Sequence, residues 1–377
     1  MNRSSARRAS RLCVLAVTAA ALCAGALAPT AAAQDTAARE LGVAVSQETS
    51  TRAERLAFWT PERMREAIDN PLTGPESAPG SVASPTRPTG TPGEAEQKVV
   101  ASAPATAPAS APPSTSGSTP PSVAGAAAAD IAISQRVPLT TTYPMNLVGK
   151  LFSYDDQGNE AGTCSASVIT TQTKSTIWTA AHCVHRGDKS GDAGFYKDLM
   201  FIPAYSNGAS PWGIWMATTK YAPVGYTEES DNLESDFAAV ELAPEPDYGK
   251  IQDAMGAFGY SFGSADHADA VTAGYPGEGY QRTDLDGEYM MACYGNAEDY
   301  ANFNPFDNRI KMDCDMGKGA SGGPMLIASE ASGIQIIGAN SHYLADSSTK
   351  ERINDDLLSS EHGVRAANVI DAVNSGS

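Results

Sequence analysis

Apolar positions are spread unevenly along the chain. From Leu12 to Ala28 they form one nearly continuous run behind Arg3, Arg7, Arg8 and Arg11, and Ala31-Ala32-Ala33 follows just before Gln34. A basic start, a short apolar centre and an A-x-A site predict a signal peptide over residues 1–33. The run is short and alanine-rich for a membrane span. Residues 34–70 are charged. Within them Thr60-Pro61-Glu62 marks a helix start, with a capping hydroxyl, a proline at the first helical position and an acid at the positive helix end. One short helix cannot bury a core, so this stretch reads as a pro-segment. It is either an exposed helix or a piece that docks on the following domain and assists its folding or blocks its cleft.

Residues 71–129 are rich in Pro, Ala, Ser, Thr and Gly and poor in aromatic and large aliphatic side chains. Such a stretch cannot offset its ordering entropy by burial and is expected to be a disordered linker. From 130 to 377 the pattern changes to short β-branched and aromatic runs between turn clusters. Val148–Tyr154, Cys164–Thr170, Thr176–Ala180, Phe237–Leu242, Met325–Ala328 and Ile334–Ala339 read as strands, with a turn at Asp155-Asp156-Gln157-Gly158-Asn159. Val364–Val373 has helical spacing. Many short strands predict an all-β barrel or sandwich, and no fixed-period repeat stands out.

The formal net charge is −18, and removal of the arginine-bearing leader makes the remainder more acidic still. That balance argues against a nucleic-acid partner or an anionic membrane surface. Cys13 and Cys23 fall in the leader. Cys164, Cys183, Cys293 and Cys314 remain, an even set that in an exported chain reads as two disulfides with three possible pairings. No close Cys-x-x-Cys pair points to zinc.

Two stretches carry chemistry. Gly317-Lys318-Gly319-Ala320-Ser321-Gly322-Gly323-Pro324 sets a serine among glycines, which let backbone approach a ligand closely. A serine hydroxyl needs a base to become a nucleophile, and Thr179-Ala180-Ala181-His182-Cys183-Val184 offers one. Asp236, at the head of the apolar run Phe237–Leu242, is the candidate acid. Asp231 competes with it from a polar loop.

These boxes, in the order His, Asp, Ser, resemble the chymotrypsin/trypsin-like serine peptidases, and the chain looks like a secreted bacterial, actinobacterial member. The resemblance implies two six-stranded antiparallel β-barrels ending in a helix. It implies a triad of His182, Asp236 and Ser321, and an oxyanion hole of the Gly319 and Ser321 N–H groups. Cys164–Cys183 and Cys293–Cys314 become the expected disulfides. Ala320 stands where trypsin-like enzymes carry the aspartate that pairs with a new N-terminus. Here the chain looks more like the glutamyl-endopeptidase (V8-like) branch, and removal of the pro-region is the expected route to activity. The specificity signals conflict. Asp315, six residues before Ser321, suggests a pocket for Lys or Arg, whereas His342, next to Ser341 on the expected substrate-pairing strand, suggests one for an acidic residue.

The expected protein is thus a monomeric extracellular endopeptidase acting on proteins or peptides, with no metal or organic cofactor and no membrane in its mature form; a second expectation is that its linker holds it at the cell wall. The alternative is a catalytically silent binding module on the same scaffold. Asp284–Glu288 lacks the later ligands of a calcium loop, and Tyr205, Trp212, Trp215 and Tyr221 read as core aromatics before they read as a sugar-binding strip.

Overall fold

The hairpin expected around Asp155–Asn159 forms as read. Strand β3 (Val148–Asp155) pairs in antiparallel register with β4 (Glu160–Ile169), and Asn159 takes the left-handed conformation that such turns need (φ 55°). The computed structural model describes residues 31–75, 133–229, 231–263, 266–300, 309–330, 332–360 and 362–376. Residues 1–30 of the expected leader, and 76–132, which hold most of the expected linker, lie outside the described residues.

The N-terminal segment holds α1 (Ala31–Glu40), β1 (Val43–Gln47), α2 (Arg52–Phe58) and α3 (Pro61–Asp69). The α3 start is as read from sequence: Thr60 caps the helix by accepting the Arg63 N–H, and Pro61 opens it. Strand β2 (Gln135–Arg136) precedes the hairpin. Then come β5 (Thr176–Thr179), β6 (Lys197–Pro203), β7 (Trp215–Pro223), α4 (Val224–Thr227), β8 (Ala238–Leu242), α5 (Ile251–Met255) and β9 (Gly259–Tyr260). The second half holds β10 (His267–Gly274), β11 (Met291–Asp299), β12 (Ile310–Asp313), β13 (Pro324–Ser329), β14 (Gly333–Ala345), β15 (Arg352–Ser359) and α6 (Val364–Ser375).

Strands β3 to β8 run in the order β7-β6-β3-β4-β5-β8 and close through β7–β8. The second set, β10-β13-β14-β15-β12-β11, closes through β10–β11. Two closed six-stranded antiparallel barrels with a C-terminal helix result, which removes the free edges that short strands would otherwise expose. Leu151, Phe152, Val168, Ile177, Trp178 and Val240 are fully buried in the first barrel, and Met312, Met325 and Ile337 in the second. Tyr205, Trp212, Trp215 and Tyr221 are core residues, each at most 7 % exposed. No described helix is long and apolar enough to cross a membrane.

Two features of the sheets set up the site. Antiparallel pairing of Thr179 with Ala238 aligns the end of β5 with the start of β8. His182, three residues past one, therefore meets Asp236, two residues before the other. In β14 the pairing slips between Asn340 and His342, a bulge that re-aims side chains at a strand's turning point.

Candidate active site

His182 follows β5 in a single 3-10 turn, Ala181–Cys183, and is 4 % exposed. Asp236 is fully buried and holds the histidine twice: the His182 backbone N–H donates to Oδ1 at 2.8 Å, and ring Nδ1 faces Oδ2 at 2.7 Å. An ionised carboxylate only accepts, so Nδ1 carries the proton and Nε2 is left as an acceptor. Nε2 is buried with no hydrogen-bond partner among the described residues. Asp231, the competing acid, instead pairs with Arg365 and accepts the Ser235 hydroxyl at 3.1 Å.

A third donor reaches Asp236. Ser341 Oγ donates to Oδ2 at 2.5 Å, and Ser341 is in turn bonded to His342 Nδ1 at 2.7 Å. Arg309 Nη1 lies 2.5 Å from His342 Nε2. A guanidinium can only donate, so His342 accepts at Nε2 and donates from Nδ1, and the Ser341 hydrogen is free for Asp236. Burial, reinforced by the Arg309 charge, holds the His342 pKa well below the usual imidazole range. Both ring nitrogens of His342 are thus committed, although the residue lines the cleft.

Ser321 is 7 % exposed on the loop between β12 and β13. The glycines around it have steric reasons. A Cβ at Gly322 (φ 78°) would lie 2.0 Å from Thr179 Oγ1 and 2.9 Å from the Ala180 nitrogen; one at Gly319 (φ 90°) would lie 2.6 Å from the Tyr275 carbonyl oxygen. The Ser321 loop is therefore packed directly against the chain that leads into His182. It is pinned from three sides. The Ser165 N–H donates to the Ser321 carbonyl at 2.7 Å, Ser165 Oγ donates to the Gly319 carbonyl at 2.8 Å, and Asn340 Nδ2 donates to the Ala320 carbonyl at 3.2 Å. Among the described residues neither the Gly319 nor the Ser321 N–H is used by another acceptor. Two unspent donors beside a serine are the kind of groups that receive charge developing on an oxygen.

Cys164 and Cys183 are joined, with Cα atoms 6.0 Å apart, and so are Cys293 and Cys314, at 5.7 Å. The first ties β4 to the His182 turn. Asp315 is fully buried and turned away from the cleft: Oδ1 accepts the Ser134 N–H at 2.8 Å and Oδ2 accepts Arg282 at 3.0 Å. It is not among the cleft-lining residues, whereas Ser321, Ser341 and His342 are.

Sequence reasoning passed over Ser165, Asn340, Arg309 and Gly74. The first three are ordinary polar residues whose value lies in long-range contacts. Gly74 stands at the head of the expected linker, yet a Cβ there would lie 2.2 Å from the Ser341 carbonyl oxygen and 3.1 Å from His182 Cε1.

No family model matches the chain, and no curated protein is similar to it in sequence. Solved structures are similar in fold. The protease Anisep from Arthrobacter nicotinovorans is 27 % identical, with a TM-score of 0.50, covering 60 % of this chain and 95 % of that one. A thermostable serine protease, AL20, from an extremophilic microorganism is 23 % identical at TM-score 0.50, covering 62 % and 98 %. The fold is chymotrypsin-like. Its structural neighbours are bacterial serine proteases, so protease chemistry on peptide substrates is the coarse function that the fold supports.

Proposed function

We propose that this protein is an exported serine endopeptidase that cuts peptide bonds through an acyl-enzyme. Ser321 Oγ attacks the peptide carbonyl while His182 Nε2 takes its proton. The oxyanion is received by the Gly319 and Ser321 N–H groups. His182 then protonates the leaving nitrogen, and water releases the acyl group by the same roles in reverse. Asp236 keeps the imidazole in the tautomer that leaves Nε2 open and stabilises its charged form. The observation that carries this reading is the double grip of Asp236 on His182 beside two unspent backbone donors on the serine loop.

Export is supported by the leader pattern in residues 1–33 and by two disulfides, which persist in oxidising compartments. The preference is for an acidic side chain before the cut bond. Lys318 and Lys350 line the cleft and, among the described residues, no carboxylate does, although Glu278 lies 3.7 Å from Lys318 Nζ and the chain as a whole carries −18. Asp315, the one signal for a basic preference, already has Arg282 as its counter-charge.

A fluorophosphonate probe tests the reaction. Modification should map to Ser321 and disappear in Ser321→Ala and His182→Ala. A folded, processed protein that takes up no label would leave the silent binding module as the better reading. Peptide-library profiling tests the preference, with cleavage after Asp or Glu expected; a dominant cut after Lys or Arg would reverse it.

A further inference from the structure

The N-terminal segment does more than extend a sheet. Strand β1 pairs antiparallel with the far half of β7, from Val43 opposite Pro223 to Gln47 opposite Thr219. Glu48 meets Lys220 at 2.9 Å with both side chains at most 4 % exposed. Trp59 is 5 % exposed, its indole N–H donates to the Asp198 carbonyl at 2.6 Å, and its ring meets Phe152 edge-on. Gln34 reaches the Gly376 carbonyl beyond α6 at 2.9 Å. These contacts lie away from the catalytic residues and seat the segment on the first barrel.

Past α3 the chain turns into the cleft. Asn70 Nδ2 donates to the Ala161 carbonyl at 3.2 Å, and the Leu72 N–H donates to the Thr163 carbonyl at 3.0 Å, where Pro71 forms a parallel bridge. Pro71 lies against the oxyanion loop, 3.5 Å from where a Gly319 Cβ would be. Gly74 then passes between the Ser341 carbonyl and the edge of the His182 ring, closer than any side chain would permit. Thr73, Gly74 and Pro75 line the same cleft as Ser321.

We propose that residues 34–75 are an intramolecular inhibitor whose Pro71–Pro75 stretch plugs the catalytic cleft and stays seated after the linker is cut. The proposal rests on the peptidase reading above. The plug is placed as an obstacle and not as a substrate. Among the described residues none of its carbonyls accepts from the Gly319 or Ser321 N–H, so no carbonyl carbon is polarised for attack. Pro71 and Pro75 lack the N–H that strand-like pairing of a substrate would use. Because strand pairing, a buried ion pair and a buried tryptophan hold the segment, cutting within 76–132 removes only the tether. Activity then requires loss of the segment itself.

The test uses the full chain, folded and oxidised, with a recognition site for a sequence-specific protease inserted after Gly93. Two readouts are taken: the rate of Ser321 labelling by a fluorophosphonate, and hydrogen exchange at the Leu72 amide. The Leu72 amide should be protected, and cutting the linker should leave the labelling rate unchanged while the two pieces co-elute. Gly74→Leu should lift the stretch off, raising labelling at least tenfold and exposing the Leu72 amide. Leu72→Asp, which adds no bulk beside Ser341, should do the same if Gly74→Leu folds poorly. Equal labelling rates in wild type and both variants, with label taken up, would overturn the plug, as would an unprotected Leu72 amide in the wild type. Full label on cutting with the pieces still together would overturn its retention. A Leu72 amide released by both variants with Ser321 still inert would sink the peptidase reading, and inhibition with it, while the docking stood.

Discussion

Asp236 grips His182 by backbone and ring at once, through Oδ1 and Oδ2 respectively. A carboxylate used this way fixes both where the imidazole sits and which nitrogen is protonated. Ser341 donates to Oδ2 as well, so the fully buried carboxylate receives three donors.

Asp236→Asn should therefore keep the fold and lose the chemistry. An amide offers Nδ1 a donor as readily as an acceptor and favours the wrong tautomer. A fall of about 10⁴ in kcat is expected, as for an equivalent change in another serine protease. Steady-state kinetics with unchanged thermal unfolding checks it.

Ser341→Ala removes one of three donors to that carboxylate. A hydrogen bond to a charged group contributes roughly 1.5–3 kcal/mol, part of which should appear as reduced kcat/KM. Arg309→Gln should act in the same direction but more weakly, since Arg309 reaches Ser341 through His342. A double-mutant cycle with Ser341→Ala reads their coupling.

Gly319→Ala and Gly322→Ala should each be severe. Both positions combine positive φ with a Cβ that would meet fixed atoms closer than 3 Å. Refitting the Ser321 loop would displace the two backbone donors. Activity should drop by more than the ~3 kcal/mol assigned to a single oxyanion donor, with a lowered Tm.

His362 predicts an acid-side loss of stability. Burial pushes its pKa down to about 4, and its neutral Nε2 accepts the Trp178 indole N–H at 2.9 Å. Between about pH 6.5 and 4 the unfolded chain binds the proton and the folded chain does not, so stability falls as pH falls through that window. The total is on the order of 3 kcal/mol. Denaturant unfolding as a function of pH should show this slope, and His362→Gln should flatten it.

The strands around 148–154, 164–170, 176–180, 237–242, 325–328 and 334–339, the α3 start at Thr60-Pro61 and the helix after 364 were legible, because alternation, turn residues and caps act over a few neighbours. His182, Ser321 and Asp236 were legible as types in order, each set in a distinctive short box. Local sequence alone determined that much: barrel-forming strands, an unusual serine among glycines, and an imidazole and a carboxylate at strand ends. Only the tertiary structure decided that β5–β8 pairing brings His182 to Asp236, that Arg282 and Ser134 claim Asp315, that Arg309 orients His342, and that Gly74 lies on the His182 ring. Each of these depends on partners between 33 and 181 residues apart or on an approach allowed by a missing Cβ. Loop closure over such distances is set by how two whole barrels and their N-terminal segment pack, which no short stretch encodes.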